Sequence, residues 1–473
     1  MTTTGSRRSP LDRGATKGSR VPAVLLVLVV VATGAGLAVA GAATTPPVVP
    51  HEAELTARPA QRQVVCPASD VASTSVVGLL PGADQGTVSA DGTPLDVPVA
   101  GTTTVKGPGR DPLTVTATGE ATRGVYATRA KNVGGGMTAC SSPRPSWWFV
   151  GAGASPGHFS RLELVNPRSG PAIVDVTVLG PDGAVDSPGL RGITIPSGGN
   201  RSLKLSDVAP SEGNLSIHVQ ASRGLVQAAL DDRVLDVLNP AAKPIAEWIP
   251  DASRPTRQVV LSGLPTPGAL EPVRGQRNGK ADTLVLTNPG NREAVAKIRL
   301  STKDGAFTPK GLQPATVPPE SVVAVPLGDF VTNANTTVLV DADQPITAGY
   351  VVPGRSDLVH AVPAEPWIGP AATALPSGGG QRTLLLTAAG KGTTVTVTQY
   401  GSQGNERDQT ETVVPGQSTV AVRLDPKTSS VVVTSAASKV SGSVQVNRDD
   451  LRAALPLTPV LAALRVPAVR PAG

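Results

Sequence analysis

The chain is poor in aromatic residues and in the side chains that build metal sites. Its 473 residues include only four Trp, three Tyr, four Phe, two Cys and four His. Cores must therefore be filled with Val, Leu, Ile and Ala. Two cysteines without nearby histidines do not complete a tetrahedral metal set, and no glycine-rich loop has the spacing of a phosphate cradle. We expect neither a metal nor a cofactor.

Positive charge is concentrated at the N-terminus rather than spread over the chain. The net charge is +6, and the first twenty residues contribute +4 of it, because five basic residues outnumber one acid there. The remainder carries only +2. Such a body offers no basic stripe that could neutralise phosphates. The distribution of charge therefore argues against a nucleic-acid partner.

A long uncharged segment follows the basic N-terminus. Residues 21–49 contain no charged side chain, and residues 21–43 are mostly apolar. This is long enough for a helix to cross a hydrocarbon core, which needs about 20 residues, and basic residues mark the cytoplasmic flank. We predict a single-pass anchor in the cytoplasmic membrane, with the bulk of the chain outside. The alternative is a cleaved signal peptide, because Ala38, Ala40 and Ala42 supply small residues for a cleavage site; the protein would then be secreted.

The two cysteines, Cys66 and Cys140, lie at either end of the first exported segment. An oxidising compartment allows such a pair to form a disulfide. Closing a loop of this length would stabilise the fold by about 4 kcal/mol if the cross-link acts through chain entropy. The alternative is two independent buried thiols.

The region beyond the cysteines repeats itself at intervals of roughly 100 to 120 residues. The motif LELVNP, which contains Asn166, aligns with LVLTNP, which contains Asn288. Sixteen residues after each asparagine stands the Asp of an Asp-Gly turn, thirty residues after it a proline, and nine residues further a leucine. A third copy around Leu384 keeps the proline and the leucine but lacks Asn-Pro and is three residues shorter. The segment between the cysteines shows only the last part of the pattern, so we count three units and a degenerate first one.

Within a unit the apolar residues alternate with polar ones. Val174, Val176 and Val178 alternate with Asp175 and Thr177, which is typical of a half-buried strand in an antiparallel sheet. Short strands between Gly, Pro and Asp-Gly turns, at about 100 residues per unit, predict an all-β chain of tandem immunoglobulin-like or fibronectin-like antiparallel β-sandwiches after the single N-terminal transmembrane helix. The predicted segments are a cytoplasmic basic tail (1–20), the membrane or signal segment (21–43), a Pro-rich spacer (44–62), a degenerate first unit with the disulfide (63–146), three sandwich units (147–247, 248–366 and 367–455) and a C-terminal tail (456–473).

Tryptophans open the predicted units. Trp147 and Trp148 precede the second unit, Trp248 the third and Trp367 the fourth. We interpret these rings as filling the seams between neighbouring sandwiches. The functional alternative is a glycan-stacking platform or partner contact formed by the consecutive rings of Trp147, Trp148 and Phe149.

One motif matches a serine nucleophile. The sequence GASPG fits Gly-x-Ser-x-Gly and would make Ser155 the nucleophile of an elbow. In an elbow the backbone N–H after the serine completes the oxyanion hole, and here that residue is Pro156, which has no N–H. We therefore interpret GASPG as a glycine-rich turn.

The other candidate residues are also interpreted as structural. Asp341–Asp343, placed by the pattern at a turn, lacks the Gly and Glu of a calcium loop. The pairs Asp231–Asp232 and Asp449–Asp450 end the last strand of their units, which explains them more simply than a glycosidase dyad does. Four histidines lack a second ligand at metal-binding spacing: His51, His158, His218 and His360.

The chain resembles a known group of proteins in several motifs. These are the charged N-terminus with one apolar segment, VVCP at Cys66, SWWFVGAG at Trp147, SRLELVNP and GLVQAAL. Together they resemble an uncharacterised family of actinobacterial membrane-anchored cell-envelope proteins, over most of the chain. The resemblance implies an envelope location and no known activity, and it transfers no catalytic residue.

These observations favour a non-enzymatic function. We expect an extracytoplasmic scaffold or adaptor at the cell envelope that contacts envelope proteins or polymer through its sandwiches. The first alternative is a glycan-binding module that uses Trp147, Trp148 and Phe149. The second is a degenerate serine hydrolase centred on Ser155.

Overall fold

The computed structural model describes most of the chain after the predicted spacer. The described residues are 55–57, 59–106, 111–132, 135–235, 245–264, 282–332, 335–354, 357–378, 380–448, 451–460 and 464–466. The basic tail, the predicted membrane segment and His51 lie outside them. Residues 57–464 form one compact body. Across the described ranges, no helix is long and apolar enough to span a membrane.

The structure is all-β, as predicted, and the ladders that pair its strands are antiparallel. Its only helical elements in the described ranges are three short 3-10 turns of three to five residues. In the strand Ala172–Gly180 the three valines are buried and alternate with the less buried Asp175 and Thr177, as expected.

The first unit contains two four-stranded sheets and is therefore not degenerate. Its sheets have the orders β2-β7-β4-β5 and β6-β3-β8-β9. The predicted spacer ends earlier than 62, because two strands begin within it. The strands are β1 (Leu55–Ala57), β2 (Gln61–Cys66), β3 (Ser73–Leu79), β4 (Val88–Ala90), β5 (Thr93–Pro94), β6 (Thr102–Lys106), β7 (Leu113–Thr118), β8 (Val125–Lys131) and β9 (Met137–Ala139).

The second unit has the sheet orders β10-β16-β12-β13, with β14 paired to β12, and β15-β11-β17-β18. Trp248 lies in β18 and pairs with Asp231, so this tryptophan closes the second unit instead of opening the third. The strands are β10 (Ser146–Ala152), β11 (His158–Val165), β12 (Ala172–Gly180), β13 (Gly183–Ala184), β14 (Ile193–Ile195), β15 (Asn200–Lys204), β16 (Leu215–Arg223), β17 (Gln227–Val234) and β18 (Ile245–Ile249).

The third unit is organised by one long strand, β25, which belongs to both sheets. Its first part pairs with β19 and β21, and its second part with β20 and β26. The strands are β19 (Thr256–Leu261), β20 (Thr283–Asn288), β21 (Ala294–Thr302), β22 (Gly305–Phe307), β23 (Ala315–Val317), β24 (Ser321–Pro326), β25 (Thr337–Pro353) and β26 (Leu358–Ala361).

The fourth unit repeats this arrangement with β32 as its long strand. It includes residues 451–459, which pair as strands, so the predicted tail begins later than 456. The last strand, β35, pairs with β1. The strands are β27 (Trp367–Ala374), β28 (Gln381–Ala388), β29 (Thr393–Tyr400), β30 (Glu406–Val414), β31 (Ser418–Arg423), β32 (Ser430–Arg448), β33 (Leu451–Pro456), β34 (Thr458–Pro459) and β35 (Leu464–Val466).

The four units share one strand order. In each of them the first strand pairs with the strand that also pairs with the third, and the second strand lies in the other sheet. Each unit has its own hydrophobic core between its two sheets. Further apolar clusters join the second unit to the third and the first unit to the fourth.

The repeated asparagines explain the spacing of the repeat. Asn166 Nδ2 donates to the carbonyls of Gly170, Ile195 and Pro196. Asn288 makes the same three contacts, to residues at the same offsets of 4, 29 and 30. One buried amide thus holds a turn and a later strand end together, which fixes the distance between asparagine and proline.

The fourth unit lacks this asparagine and joins its turn to the later strand end in another way. Ala388 stands in its place and forms a parallel bridge to Gly416. A Cβ on Gly392 would lie 2.8 Å from the backbone N of Gly416. Because only glycines allow this close backbone approach, the unit closes over a shorter connection.

Contacts between one strand from each unit close residues 57–464 into a ring. Strand β9 contacts β18, β18 contacts β26, β26 contacts β33, and β33 contacts β9. The first unit also packs on the fourth, through Tyr126 against Ala372 and Val432. Strands β9, β18, β26 and β33, one from each unit, therefore meet around one centre.

Candidate functional site

A buried lysine lies between the first and second units. Lys131 is at the end of β8, and its side chain is fully buried. Its Nζ donates to Asp231 Oδ1 and to the carbonyl of Glu247 at 3.2 Å, and lies 3.5 Å from Asp70. The ammonium group also lies 4.6 Å from the centroid of the Trp248 ring, a cation–π distance. A single cation thus contacts both units.

The carboxylates around Lys131 are shared with arginines of the second unit. Arg233 of the second unit pairs with Asp70 of the first unit, so this ion pair also joins the two units. Arg161 lies 3.3 Å from Asp231. Burial raises the pKa of Asp231, and Lys131 opposes that rise. With a buried ammonium group in contact, the geometry favours the charged carboxylate.

A second buried carboxylate joins the second unit to the third. Asp232 is completely buried and accepts hydrogen bonds from His158 Nε2 at 2.9 Å, from His360 Nε2 at 3.1 Å and from the Ser160 hydroxyl. Burial would raise the pKa of Asp232, but its contacts with His158 and His360 lower it. Burial lowers the pKa of His158, and the charge of Asp232 more than reverses this, so the net shift is upward.

Two further buried carboxyl groups, Asp357 of the third unit and Glu247 of the second, lie near enough for the charge of Asp357 to act on Glu247. Asp357 Oδ2 accepts the backbone N–H of Arg452 at 2.6 Å. Burial raises the pKa of Asp357 to about 7. Burial, and then the nearby charge of Asp357, raise the pKa of Glu247 well above its usual value. A Cβ on Gly135 or Gly136 would lie within 3.0 Å of one of these carboxyl groups, so the glycines leave the space that these side chains fill.

The cluster around Asp232 contains a serine, two histidines and a carboxylate, which are groups found in catalytic sites. It does not have the arrangement of a nucleophilic triad. In a nucleophilic triad the imidazole lies between the hydroxyl and the carboxylate. Here Ser160 and His158 both bind the carboxylate of Asp232. Within the described part of the chain, no serine hydroxyl hydrogen-bonds to either imidazole that binds Asp232. The arrangement orders charges and leaves no activated nucleophile.

A large cleft is bordered by the first, second and fourth units and by the segments that connect the second to the third and the third to the fourth. Its volume is about 840 Å³, which is within the range of ligand-binding pockets. Much of its wall is apolar and rich in proline, with Tyr126 at its base. Five arginines line it, against the two carboxylates of Asp251 and Glu365: Arg62, Arg123, Arg144, Arg168 and Arg254.

Only some of these arginines have acidic partners. Arg144 pairs with Asp251 and lies 3.8 Å from the Trp147 ring centroid. Arg254 is 4.0 Å from Glu365. Arg62 donates only to a hydroxyl and a backbone carbonyl, at 3.5 and 3.4 Å. Among the residues that the structure describes, neither Arg62 nor Arg168 has a carboxylate partner. The cleft therefore carries an excess of positive charge.

The proposed ring platform is not exposed to solvent. Trp147 and Phe149 are each 1% exposed and belong to the core of the second unit. Trp148 is 7% exposed and packs in the apolar cluster between the second and third units. It stacks on His218, with 4.1 Å between ring centroids. Alternation along β10 sends neighbouring rings to opposite faces, so the three rings cannot form one platform.

The predicted disulfide between Cys66 and Cys140 is confirmed. Cys66 ends β2, and Cys140 follows β9, so the bond joins the two sheets of the first unit. Both residues are buried in the core of that unit.

The remaining candidate residues lie apart from one another. Ser155 begins the turn before β11, where its carbonyl accepts the N–H of His158. Asp341 and Asp343 lie within β25 rather than at a turn; Asp341 pairs with Arg299, and Asp343 accepts the N–H of Val295. The Asp449–Asp450 pair lies outside the described residues. Across those that are described, no group of three or more His, Cys, Asp or Glu side chains could hold a metal ion.

Sequence reasoning missed the site that the ring creates. It treated His158 and His360 as unrelated and assigned Asp231 and Asp232 to repeat position alone. His158 and His360 lie 74 and 128 positions from Asp232, so no local spacing connects them to it. The one available signal was the buried strand context of two adjacent acids, since an acid within a buried strand requires a partner.

Comparison with known proteins places the chain in a family. The model described as a family of unknown function (DUF5719) matches residues 96–425, which is more than half of the chain. The chain therefore belongs to this family. No curated protein matches it significantly.

Proposed function

We propose that this member of the family of unknown function (DUF5719) is a non-enzymatic scaffold or adaptor on the outer face of a cytoplasmic membrane. One observation carries the proposal: four β units close into a ring around buried, mutually compensated charges. Such a body presents fixed surfaces to partners.

The energetics of the centre support a fixed arrangement. Buried ion pairs contribute little net stability, but removing one partner leaves an uncompensated charge. Lys131, Asp232 and Asp357 each make contacts across a unit boundary. Any rotation of one unit against its neighbour would separate these partners. The ring is therefore held in one arrangement, as a scaffold requires.

We assign the units to the immunoglobulin-like or fibronectin-like class of β-sandwich. In support, each unit has two antiparallel sheets around its own core and about 100 residues. Their strand order, in which the first strand does not pair with the second, is a variant of that plan.

An extracytoplasmic location is part of the proposal. The disulfide between Cys66 and Cys140 requires oxidising conditions in most organisms. The basic N-terminus followed by the apolar segment 21–43 supports a single-pass anchor, with secretion as the outcome if the segment is cleaved. Sequencing the N-terminus of the mature protein distinguishes the two.

A glycan-binding module lacks support, because Trp147, Trp148 and Phe149, the rings that would stack on the glycan, are buried. The hydrolase alternative also lacks support, because Pro156 follows Ser155 and the buried serine of the cluster around Asp232 does not contact an imidazole.

The test is in-cell cross-linking in cells that naturally carry the chain. A C-terminally tagged full chain is cross-linked, solubilised and purified, and its partners are identified by mass spectrometry. We expect envelope proteins that are absent from an untagged control. The proposal fails if the purified full chain hydrolyses or transfers envelope glycan, or if tagged and untagged samples recover the same proteins.

A further inference from the structure

Strand β2 of the first unit has one edge that is only partly covered by other backbone. Among the described residues, β2 pairs in its sheet with β7 alone, so its other side is an edge. At the end of β2, Val65 exchanges both backbone hydrogen bonds with Ser141. Beyond Ser141 the chain turns away, through Ser142 and Pro143, to β10. Of the residues that the structure describes, a short segment at Ser141 thus covers the edge, and it does so at Val65.

The uncovered part of the edge faces the cleft. Successive residues of a strand direct their N–H and C=O groups to alternate sides. Val65 directs its groups away from β7, so Gln61 and Gln63 do the same. Both residues line the cleft. Two donors and two acceptors therefore continue the line of the Val65–Ser141 pairing into open space.

Uncompensated positive charge lies beside this edge. Arg62 is in β2 itself, and Arg168 is just beyond the end of β11; both line the cleft without an acidic partner among the described residues. Gln63 Nε2 donates to the carbonyl of Pro167 at 3.4 Å, which places the edge next to the residue that precedes Arg168. Because neighbouring side chains of a strand point to opposite faces, Arg62 and Gln63 lie on opposite faces of β2, so a strand laid along the edge would have Arg62 on one face and Arg168 near the other.

We propose that the cleft binds an extended, acidic peptide segment of a partner protein. The segment adds as a strand to the free edge of β2 at Gln61 and Gln63, with one carboxylate bound to Arg62 on one face of the strand and a second carboxylate bound to Arg168 on the other. Strand addition supplies affinity through main-chain hydrogen bonds, and arginine is suited to hold a carboxylate with two N–H groups. This site rests on the proposed adaptor function, for which it supplies one partner surface.

The cleft fits a peptide better than a phosphate polymer. A polyanion without amide groups would leave the backbone donors and acceptors of Gln61 and Gln63 unused. The apolar, proline-rich walls favour side chains over hydrated phosphates, and Arg144 and Arg254 are already engaged by Asp251 and Glu365. Two available arginines suit two carboxylates.

The test is a selection for peptides that bind the original chain but not a matched variant. Purified full chain in detergent is immobilised and exposed to phage that display random peptides of about twelve residues, with counter-selection on the Arg62→Gln/Arg168→Gln variant. We expect enriched peptides that contain Asp or Glu among β-branched residues. Synthetic peptides from the selection should bind the double variant at least about tenfold more weakly, since hydrogen bonds between charged groups are lost. The Arg191→Gln/Arg223→Gln variant, which alters exposed arginines outside the cleft, should bind with unchanged affinity.

Backbone methylation tests the strand addition itself. A selected peptide is made in two forms, N-methylated at its odd or at its even positions. Because only one edge of the added strand pairs with β2, one form should lose binding by about tenfold or more and the other should retain it.

Three outcomes would overturn the proposal. They are equal tolerance of both methylated forms, enrichment of peptides that bind the double arginine variant equally well, and binding of inorganic polyphosphate in the absence of any selected peptide. Each is independent of the in-cell experiment, so a failed peptide site leaves the adaptor proposal to be judged on its own partners.

Discussion

The centre of the ring and the cleft both concentrate charged residues, but they treat charge differently. At the centre, Lys131 is surrounded by Asp231 and Asp70, and Asp232 is held by two histidines. In the cleft, Arg62 and Arg168 lack acidic partners among the described residues, and the cleft is open to solvent. We infer that the paired charges at the centre hold the units in place, whereas the unpaired arginines of the cleft are available to bind a ligand.

The difference separates charges that folding requires from charges that are available for binding. A buried charge without a partner costs several kcal/mol, so the partners at the centre are required by folding. Arg168 is exposed and Arg62 is only partly buried, so an unpaired guanidinium costs less there, although burial lowers the pKa of Arg62. Substitutions at the two places should therefore affect different measurements.

Lys131→Met should have the largest effect. It leaves Asp231 and Asp70 without their shared cation, and breaking a buried pair costs about 3–5 kcal/mol. Chemical denaturation of the purified full chain measures this loss. Lys297→Met, an exposed lysine, is the matched control and should change stability by less than about 0.5 kcal/mol. Equal effects of the two variants would show that the centre does not hold the ring.

The pH dependence of stability should be the next largest effect. The pKa of Asp357 is raised in the folded protein to about 7, so the folded state holds this proton more tightly than the unfolded state. Its contribution to stability is therefore largest at acidic pH and is lost as the pH rises from about 4 to about 7. His158, whose pKa is also raised, acts in the same direction: its contribution is present below its unfolded pKa and is lost above its folded one.

Asp357→Asn should flatten this profile. The amide oxygen can still accept the N–H of Arg452, but the group no longer titrates. Thermal unfolding from pH 5 to pH 8 should show a smaller loss of stability in the variant than in the original chain. Asp329→Asn, at an exposed position, should leave the slope unchanged. A slope identical in all three proteins would remove Asp357 as its source.

The cleft arginines should have the smallest effect on stability. Arg62→Gln/Arg168→Gln removes no ion pair, so the free energy of unfolding should fall by less than about 1 kcal/mol. The same denaturation measurement checks this. A loss comparable to that of Lys131→Met would mean that these arginines are structural, and the distinction between the two regions would disappear.

The repeat was predictable because its signal is local. Asn166 and Asn288 each hold a turn and a strand end within about thirty residues, so their offsets are visible in the sequence. The first unit was underestimated for the same reason, since it has the shared strand order but not the asparagine. The boundary at Trp248 was wrong because a ring that fills a seam can close one unit as well as open the next.

The disulfide was predictable because two cysteines allow only one pairing, which the predicted export would favour. The ring platform was not, because three consecutive aromatics say nothing about which faces of β10 will be covered. Burial of Trp148 depends on Val285 and Val322, which belong to the third unit. That contact depends on how two units dock.

Local patterns thus determined the all-β class, because period-two alternation and turn residues act over short stretches of chain, and the presence of only two cysteines left a single possible disulfide. Closure of the four units into a ring, the burial of Lys131 and Asp232 at its centre, and the cleft beside β2 were decided by tertiary structure alone. They depend on contacts between residues that are often more than a hundred positions apart, and such contacts exist only after each unit has packed against its neighbours.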